Sequence, residues 1–463
     1  MRCSERGPLR RPVPGVMVDR VIGIFVVLGV ISLAVLGALR SWHRPWWSAV
    51  WVRRGAFAIV AAAYLGVLFR SLGQGRVLAG FKSPSATIAG SVLAGAGGVL
   101  LMALFLTLPL AGLIRFIVRR VAGDGAFAIE PVSAPKSEAA DRVASVEPLS
   151  TSEVGASERA PRSSAAEARA SIGDLGVAPA PAPLVARRAV LEAAVAALPV
   201  AALGVGGAGV IGAFRPTSVV PRPMRFGELP PTLAGLRILQ LTDLHLGAFM
   251  DPDGLEDLIE RASAAKPDLV VVTGDLSDHL PWLPDALRRI ETLAPRLGTF
   301  AVLGNHEHYR GVEEVRRAFD KSKIDLLMNE HRIVESGLER FTLLGVDDPA
   351  AAPRDKNFYE RTSDLALDGA PSESFRLALC HRPSGFRALA ARNVDLTLSG
   401  HTHGAQMGHG ERSLLEGAMP DSFLWGRYAL GTHQLYTSSG GGHWFAFRLD
   451  CPSEAPLVTL ERA

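Results

Sequence analysis

The sequence predicts a multi-domain chain, with transmembrane α-helices at its N-terminal end followed by an α/β domain that holds more than one sheet. Three observations predict it. Apolar stretches of membrane length, flanked by arginines, crowd residues 1–120; a segment poor in large apolar residues follows; and from residue 235 short β-type runs alternate with helical patterns. The 463 residues suffice for two or three domains, and 48% of them are hydrophobic, which is high for a protein wholly in water.

Taken in order, Val21–Leu39, Gly55–Phe69 and Thr87–Ile114 read as transmembrane helices, bordered by Arg20, Arg40, Arg53, Arg70 and Arg115. A hydrocarbon core asks for roughly 20 apolar residues per helix, so the first and third fit directly and the second draws on its flanks. Trp42, Trp46, Trp47 and Trp51 crowd the first connection, where amphipathic rings favour the headgroup layer. Residues 121–186 are rich in Ala, Ser, Pro, Glu and Arg and end in alternating Ala and Pro from Ala178 to Pro183. Such a composition buries no core and is expected to be a disordered linker. A fourth apolar segment, 187–214, opens on Arg187-Arg188 and contains Glu192 and Pro199; it is either a span or an export-type signal.

Residues 235–463 form the α/β domain. Arg237–Leu241 and Leu269–Thr273 read as buried strands, with Leu255, Leu258, Ile259 and Ala262 marking one face of the helix between them. Further strands are expected at Phe300–Leu303, Phe341–Val346, Phe375–Cys380 and Val394–Leu398, and a helix at Val312–Phe319. Gln434–Ser438 and Trp444–Leu449 read as β-rich. Cys3, Cys380 and Cys451 are far apart, odd in number and form no CxxC, so neither a disulfide framework nor a thiolate zinc site is indicated. The net charge of +3 comes from nearly balanced acids and bases, and no nucleic-acid partner is expected.

Metal-binding residue types recur just after the predicted strands, where an α/β fold gathers its ligands. They are Asp243-Leu-His245, then Gly274-Asp275-Leu-Ser-Asp278, Gly304-Asn305-His306-Glu307, His381, and Gly400-His401-Thr-His403-Gly404. Eleven of the twelve histidines lie beyond Leu236, and His245, His306, His381, His401 and His403 sit at these strand ends. Each signal alone has a structural explanation, since a lone DxH is noise and a single Asn-His is often a turn. Together and in this order they point to a metal site. Mixed His, Asp and Asn donors suit divalent Mn, Fe or Zn. The neighbouring glycines are expected to make tight turns that aim these side chains into one cleft. In contrast, His279, His308, His409, His433 and His443 are assigned surface or packing roles as readily as cleft-lining ones, and Trp282 and Trp425 are read as packing. Cys380 is expected to face the core.

The motifs DLH, GDLSD, GNHEH, CH and GHTHG, in that order, resemble the calcineurin-like metallophosphoesterase family from about Leu236 to Ala463. The likeness extends to its bacterial, often membrane-tethered branch marked by GHTHGGQ, through Gly345-Val-Asp-Asp348 and the stretch from Ser439 to Arg448; here Ala405 replaces a glycine of that motif. The resemblance implies a layered αββα sandwich with two divalent metal ions. By position, Asp243, His245, Asp275 and His403 would bind one ion, and Asn305, His381 and His401 the other, with Asp275 bridging. His306 would be catalytic, as general acid or charge stabiliser. Asp278 and Glu307 would support the ligands by orienting ligating histidines. A bridging water activated between the ions would attack a phosphomonoester or phosphodiester.

The expected function is therefore that of a membrane-anchored phosphoesterase acting on a phosphorylated small molecule, a lipid or a cell-envelope precursor. The competing readings are a non-enzymatic membrane scaffold or sensor, against which the intact ligand set argues, and a regulated transporter, against which the near absence of charge inside the opening spans argues. The expected location is the inner (plasma) membrane, multi-pass. With translation from Met1, Arg2, Arg6, Arg10, Arg11 and Arg20 draw the N-terminus inward and four spans return the domain to the cytoplasm; with Met17 as the start most of that charge is gone, and Arg40, Arg44, Arg53, Arg54, Arg115, Arg119, Arg120, Arg187 and Arg188 inside place the domain outside. The outward orientation is the one expected.

Overall fold

A bilayer leaves helices as the way for one apolar segment to satisfy its own backbone, and the apolar stretches are helical. The computed structural model describes residues 14–73, 83–121, 187–247, 249–443 and 445–463. Helices α1 (Pro14–Trp42), α3 (Val50–Gly73), α4 (Pro84–Val121) and α5 (Arg187–Ala213) are joined early on by the short α2 (Arg44–Ser48). Four of these are long and apolar enough to cross a membrane, through Ile22–Trp42, Val50–Gly73, Ser85–Ile117 and Glu192–Ala213. The second span is thus longer than its apolar centre suggested, because the helix continues through Arg53 and Arg54. The fourth segment, expected as span or signal, is a helix of 27 residues with Pro199 inside it. Apart from residue 121, the expected linker lies outside the described residues.

The chain divides into two units, one of Met1–Gly112 with Leu198–Ala463 and one of Leu113–Ala197. The smaller unit contains the end of α4 and the beginning of α5. Within the larger unit, small residues let α3 and α4 meet: a Cβ on Gly66 would stand 2.1 Å from Ala94 N, and one on Gly97 would stand 2.5 Å from Ala63 N. Val35, Leu39, Ala63, Leu101, Leu104 and Leu108 fill the space between the helices.

In the α/β domain, β1 (Ser218–Phe226), β2 (Arg237–Leu241), α6 (Pro252–Ala264), β3 (Leu269–Thr273), α7 (Leu283–Glu291), β4 (Thr299–Val302), α8 (Asn305–Phe319) and β5 (Asp325–Leu326) come first. They are followed by β6 (Glu330–Ser336), β7 (Glu339–Val346), α9 (Phe358–Leu367), β8 (Arg376–Cys380), α10 (Phe386–Ala390) and β9 (Leu396–Ser399). A two-residue pair, β10 (Gly408–His409) and β11 (Arg412–Ser413), precedes β12 (Gly426–Leu430), β13 (His433–Thr437) and β14 (Glu454–Arg462). One sheet has the order β1-β14-β2-β3-β4-β5 and the other β12-β13-β9-β8-β7-β6. β2, β3 and β4 run parallel in the first, and β7, β8, β9 and β13 run parallel in the second.

Strand alternation sorts the side chains into layers. Leu269 and Val271 of β3 join Phe341, Leu343, Leu377, Leu396 and Tyr436 in the core between the sheets. Val270 and Val272 face the other way, onto Leu255, Leu258 and Ile259 of α6 and Leu283, Leu287 and Ile290 of α7. On the second sheet, Leu344, Val346, Ala378 and Cys380 face Ala366 of α9 and Leu389 of α10. The result is the αββα sandwich. Asp251 caps α6 by accepting from Gly254 N at 2.9 Å, with Pro252 at the first helical position.

Three differences from the sequence reading have physical reasons. The first sheet begins at Ser218, upstream of residue 235, because β1 pairs in parallel with the C-terminal β14; a pairing between segments that distant leaves no local signal. α8 starts at Asn305 instead of Val312, with a break at Gly311, φ 144°. Residues 445–449 form no strand; Ala446 and Phe447 are buried instead against helices α4 and α5.

Candidate metal centre

Parallel strands end on the same side, so the turns after β2, β3 and β4 in one sheet and after β8 and β9 in the other meet along a single rim. Asp243 and His245 follow β2, Asp275 and Asp278 follow β3, Asn305 and His306 open α8 after β4, His381 follows β8, and His401 and His403 follow β9. All of the sequence-selected site residues are brought together there. Asp243, His245, Asp275, His401 and His403 have φ of 52°, 46°, 52°, 71° and 51°. The left-handed region costs a non-glycine residue about 1–3 kcal/mol, so the surroundings must enforce it. They do so through Asp243 N to Gly274 O and His245 N to Asp275 O, both 3.0 Å, and through His401 N, which donates to the Asp243 carboxylate at 2.9 Å.

The side chains converge as two groups. In one, Asp243, His245 and His403 present ligand atoms within 4.8 Å of each other. His245 Nε2 lies 3.1 Å from His403 Nε2, which is 3.5 Å from Asp243 Oδ1. In the other, His381 Nε2 is 3.2 Å from His401 Nδ1, 3.2 Å from Asn305 Oδ1 and 3.3 Å from Asp275 Oδ2. Asp275 Oδ2 is also 3.7 Å from His245 Nε2, which sets this carboxylate between the groups. His381 Nδ1 donates to Thr273 O at 2.8 Å and so turns its other nitrogen into the cluster. Ligand bonds of about 2.1 Å put neighbouring donor atoms about 3.0 to 3.4 Å apart around one ion. The donor set and its spacings therefore fit a binuclear His/Asp metal site.

Electrostatics say the same. Burial opposes charge throughout, yet Asp275 is held well below the usual carboxylate range by His381 and His245. Burial would depress His245, but the nearby carboxylates of Asp278, then Asp275 and Asp243, lift it to about 9. His381 is lifted against its burial to about 10 by Asp275 and Asp243. Burial and the adjacent His381 push His401 down to about 3, while burial and His245 push His403 well below its ordinary value. Asp275 is thus favoured in its charged form beside two raised histidines, whereas burial, with the neighbouring Asp275, pushes the Asp243 carboxyl up.

Asp278 accepts from His306 Nδ1 at 2.5 Å, and its other oxygen lies 3.6 Å from Nδ1 of His245, an ion-pair distance with no hydrogen bond. Glu307 does not orient a histidine. Its carboxylate accepts backbone N–H groups of the ligand turns: Gly304 N at 2.8 Å, Asp275 N at 2.9 Å and Leu276 N at 2.8 Å. Two of the glycines also serve another purpose than turning. A Cβ on Gly400 would stand 2.0 Å from Asp243 Oδ2, and one on Gly304 would stand 2.3 Å from Asp275 Oδ1. Glycine leaves room there for the carboxylates themselves.

Of the remaining candidates, His308 bonds Asp347 at 2.8 Å, His433 bonds Val394 O at 3.0 Å, and the His409 side chain is 86% exposed. Trp425 is buried, its indole donating to Glu454 at 3.0 Å. His443 is buried beside Phe249, with ring centroids 4.6 Å apart, and Phe214 at the end of α5 completes this aromatic group at 6.3 Å. Two cations at the rim were missed. Arg310 donates to Asp278 at 3.1 Å, and Arg382 holds Asp348 at 2.7 and 3.1 Å. Their positions, four residues after His306 and one after His381, were the available signal.

Residues 236–405 match the calcineurin-like phosphoesterase family. A metallophosphoesterase of Campylobacter jejuni is 33% identical over 241 residues, which are 50% of this chain and 61% of that protein. A transmembrane protein with metallophosphoesterase domain from Danio rerio is 30% identical over 263 residues, 55% of this chain and 60% of its own length. The chain therefore spans about 60% of the length of these relatives. The phosphodiesterase YaeI of Escherichia coli K12 is 28% identical over 240 residues, 49% of this chain and 83% of that one. The α/β domain described here is thus similar to calcineurin-like metallophosphoesterases over residues 236–405, and four helices of membrane-spanning length precede it in this chain.

Proposed function

We propose that the chain is a membrane-anchored binuclear-metal phosphoesterase of the bacterial, membrane-tethered branch, hydrolysing phosphomonoester or phosphodiester bonds. The observation that carries this reading is the convergence of His, Asp and Asn donors from five strand ends at mutual spacings of 3.1 to 3.7 Å. In it, Asp243, His245, Asp275 and His403 hold one ion and Asn305, His381 and His401 the second, with Asp275 shared. When bound, two divalent ions such as Mn, Fe or Zn supply a nucleophilic hydroxide at neutral pH and clamp the phosphoryl oxygens.

The chain's own residues supply positioning and proton transfer. His306 is partly exposed, and its Nδ1 is engaged by Asp278 while Nε2 lies 3.9 Å from Asp275 Oδ2. That orientation aims Nε2 at the cluster, where it serves as general acid or charge stabiliser toward the leaving oxygen. Arg310 and Arg382 add positive charge at the rim for an anionic substrate. A tethered site with Phe214, Phe249 and His443 beside it suits an amphipathic phosphoester, a lipid or cell-envelope precursor, at the membrane surface. If all four helices cross the inner membrane, Arg40, Arg44, Arg53, Arg54, Arg115, Arg119, Arg120, Arg187 and Arg188 share one side, which the positive-inside rule makes cytoplasmic. The catalytic domain then faces outward, and a reporter enzyme fused after Ala463 that is active only in the cytoplasm would refute this placement.

The test of the enzyme itself is metal content and hydrolysis of an aryl phosphomonoester and diester by the detergent-solubilised chain, beside Asp275→Ala. Two metals with turnover lost in the variant support the reading. Turnover unchanged by Asp275→Ala, or a chain that takes up no metal, overturns it.

A further inference from the structure

A buried guanidinium without a carboxylate in direct contact is costly, and among the described residues one stands beside the metal centre. Arg448 is 2% exposed. Its Nη1 donates to Cys451 O at 3.0 Å and Pro452 O at 3.4 Å. Its Nη2 donates to Ser439 O at 2.8 Å, Gly440 O at 3.3 Å and Gly442 O at 2.6 Å, and lies 3.4 Å from His403 Nδ1. The loop it gathers rests on the metal-site residues. Gly441 N donates to Thr242 O at 2.9 Å and Gly442 N to Asp243 O at 2.8 Å. A Cβ on Gly440 would stand 2.8 Å from Asp243 Cβ and 3.1 Å from His403 Nδ1. The loop therefore forms the back wall for both side chains.

The same arginine is anchored from the other side by the apolar helices. Its backbone N–H donates to Gly209 O of α5 at 2.7 Å. A Cβ on Gly209 would fall 2.1 Å from Phe447 Cε2, one on Gly212 would fall 2.2 Å from Arg448 O, and one on Gly95 of α4 would fall 2.8 Å from Ala446 N. By contrast, Gly204 and Gly207 of α5 would meet nothing within 4 Å. Glycine is thus required where the loop sits, and its neighbours along the same helix are free of that demand.

We infer that Arg448 is a positioning residue through which α4 and α5 hold Asp243 and His403, so that the metal centre is complete only when the membrane helices are in place. This rests on the phosphoesterase reading and adds that helices and catalytic domain are one functional unit, not a domain on a passive tether. The test uses the full chain in detergent with Mn²⁺ as the probe metal, its affinity measured by equilibrium dialysis and metal analysis. Gly209→Val, which touches no metal-site residue, weakens Mn²⁺ binding about tenfold to hundredfold, the range for lost outer support of a ligand. Gly207→Val leaves it unchanged, Arg448→Gln matches Gly209→Val, and Arg448→Lys falls between. Should Gly209→Val not fold, Gly209→Ala weakens binding and adding Phe447→Leu, which makes room, restores it. Gly209 variants that bind Mn²⁺ like the wild type overturn the coupling alone. A wild-type chain that binds no metal overturns the phosphoesterase reading with it.

Discussion

Replacing Glu307 by glutamine removes one charge and changes no shape, and it tests how the ligand turns are held. The carboxylate is 2% exposed. One oxygen accepts from Gly304 N and Asp275 N, at 2.8 and 2.9 Å, and the other from Leu276 N at 2.8 Å. A glutamine can keep the first pair on its carbonyl oxygen, but its NH₂ then faces the Leu276 N–H, donor against donor. A hydrogen bond to a charged group is worth about 1.5–3 kcal/mol, and a buried donor left unmatched costs about 1–3 kcal/mol more. Relief from burying the carboxylate charge offsets part of this, which leaves a net loss of about 3 kcal/mol. For a domain of this size that lowers the melting temperature by about 6–12 °C. Differential scanning of the metal-free chain reads the shift, with Glu313→Gln as control, since Glu313 lies on the same helix with its side chain 66% exposed. Because Asp275 N and Gly304 N belong to the ligand turns, metal affinity falls too, about tenfold or more. A Glu307→Gln protein that melts within about 2 °C of the wild type and keeps its metal would refute the claim that this carboxylate fastens the turns.

Gly400→Ala places a methyl group 2.0 Å from Asp243 Oδ2 and 2.2 Å from Thr242 Oγ1; we expect metal binding to weaken by at least about tenfold, and an unchanged metal titration would count against the crowding argument. Ala405 lies in the left-handed region at φ 52°, so Ala405→Gly should raise stability by about 1 kcal/mol, read as a rise in melting temperature, and a fall would contradict it. His245 and His381, lifted to about 9 and about 10, carry protons at neutral pH that metal binding must displace. Metal affinity should therefore rise with pH below about 9, by up to about a hundredfold per unit if both protons leave, and an affinity that is flat between pH 6.5 and 7.5 would refute the assignment.

Much of the site was legible because metal chemistry restricts residue types and a parallel sheet puts them at one kind of place, the strand end. Asp243, His245, Asp275, His381, His401 and His403 all needed only a short apolar run before them to be placed. The buried strands β2, β3 and β8 were equally plain, since runs such as Leu269–Thr273 are apolar on both faces and admit a strand between two packed layers. What was not legible depends on partners distant in sequence. β1 alternates only weakly and contains Pro221 and Pro223; its place in the sheet follows from the register with Glu454–Arg462. Glu307 looked like a support for histidines because carboxylates often are; that it takes backbone amides instead is decided by the start of α8 at Asn305, which turns its side chain back onto the turn after β3.

The stretch Phe445 to Leu449 shows why alternation alone can mislead. Its large apolar residues recur at every second position, the period of a strand with one buried face. A strand with one buried face would bury Phe445, Phe447 and Leu449, whereas in this loop against helices the consecutive Ala446, Phe447 and Arg448 are buried and Phe445 and Leu449 only half-buried, a difference that the periodicity does not announce. What separates them is where the backbone bonds go. Here Arg448 N is taken by Gly209 O of α5 and Leu449 N by Gln406 O, in two different directions, and no ladder forms. The glycines that admit this loop, Gly95, Gly209 and Gly212, sit in segments whose small-residue content would otherwise be assigned to helix packing. Neither half of the contact announces the other, and only their meeting gives the loop, the glycines and the buried Arg448 a single explanation.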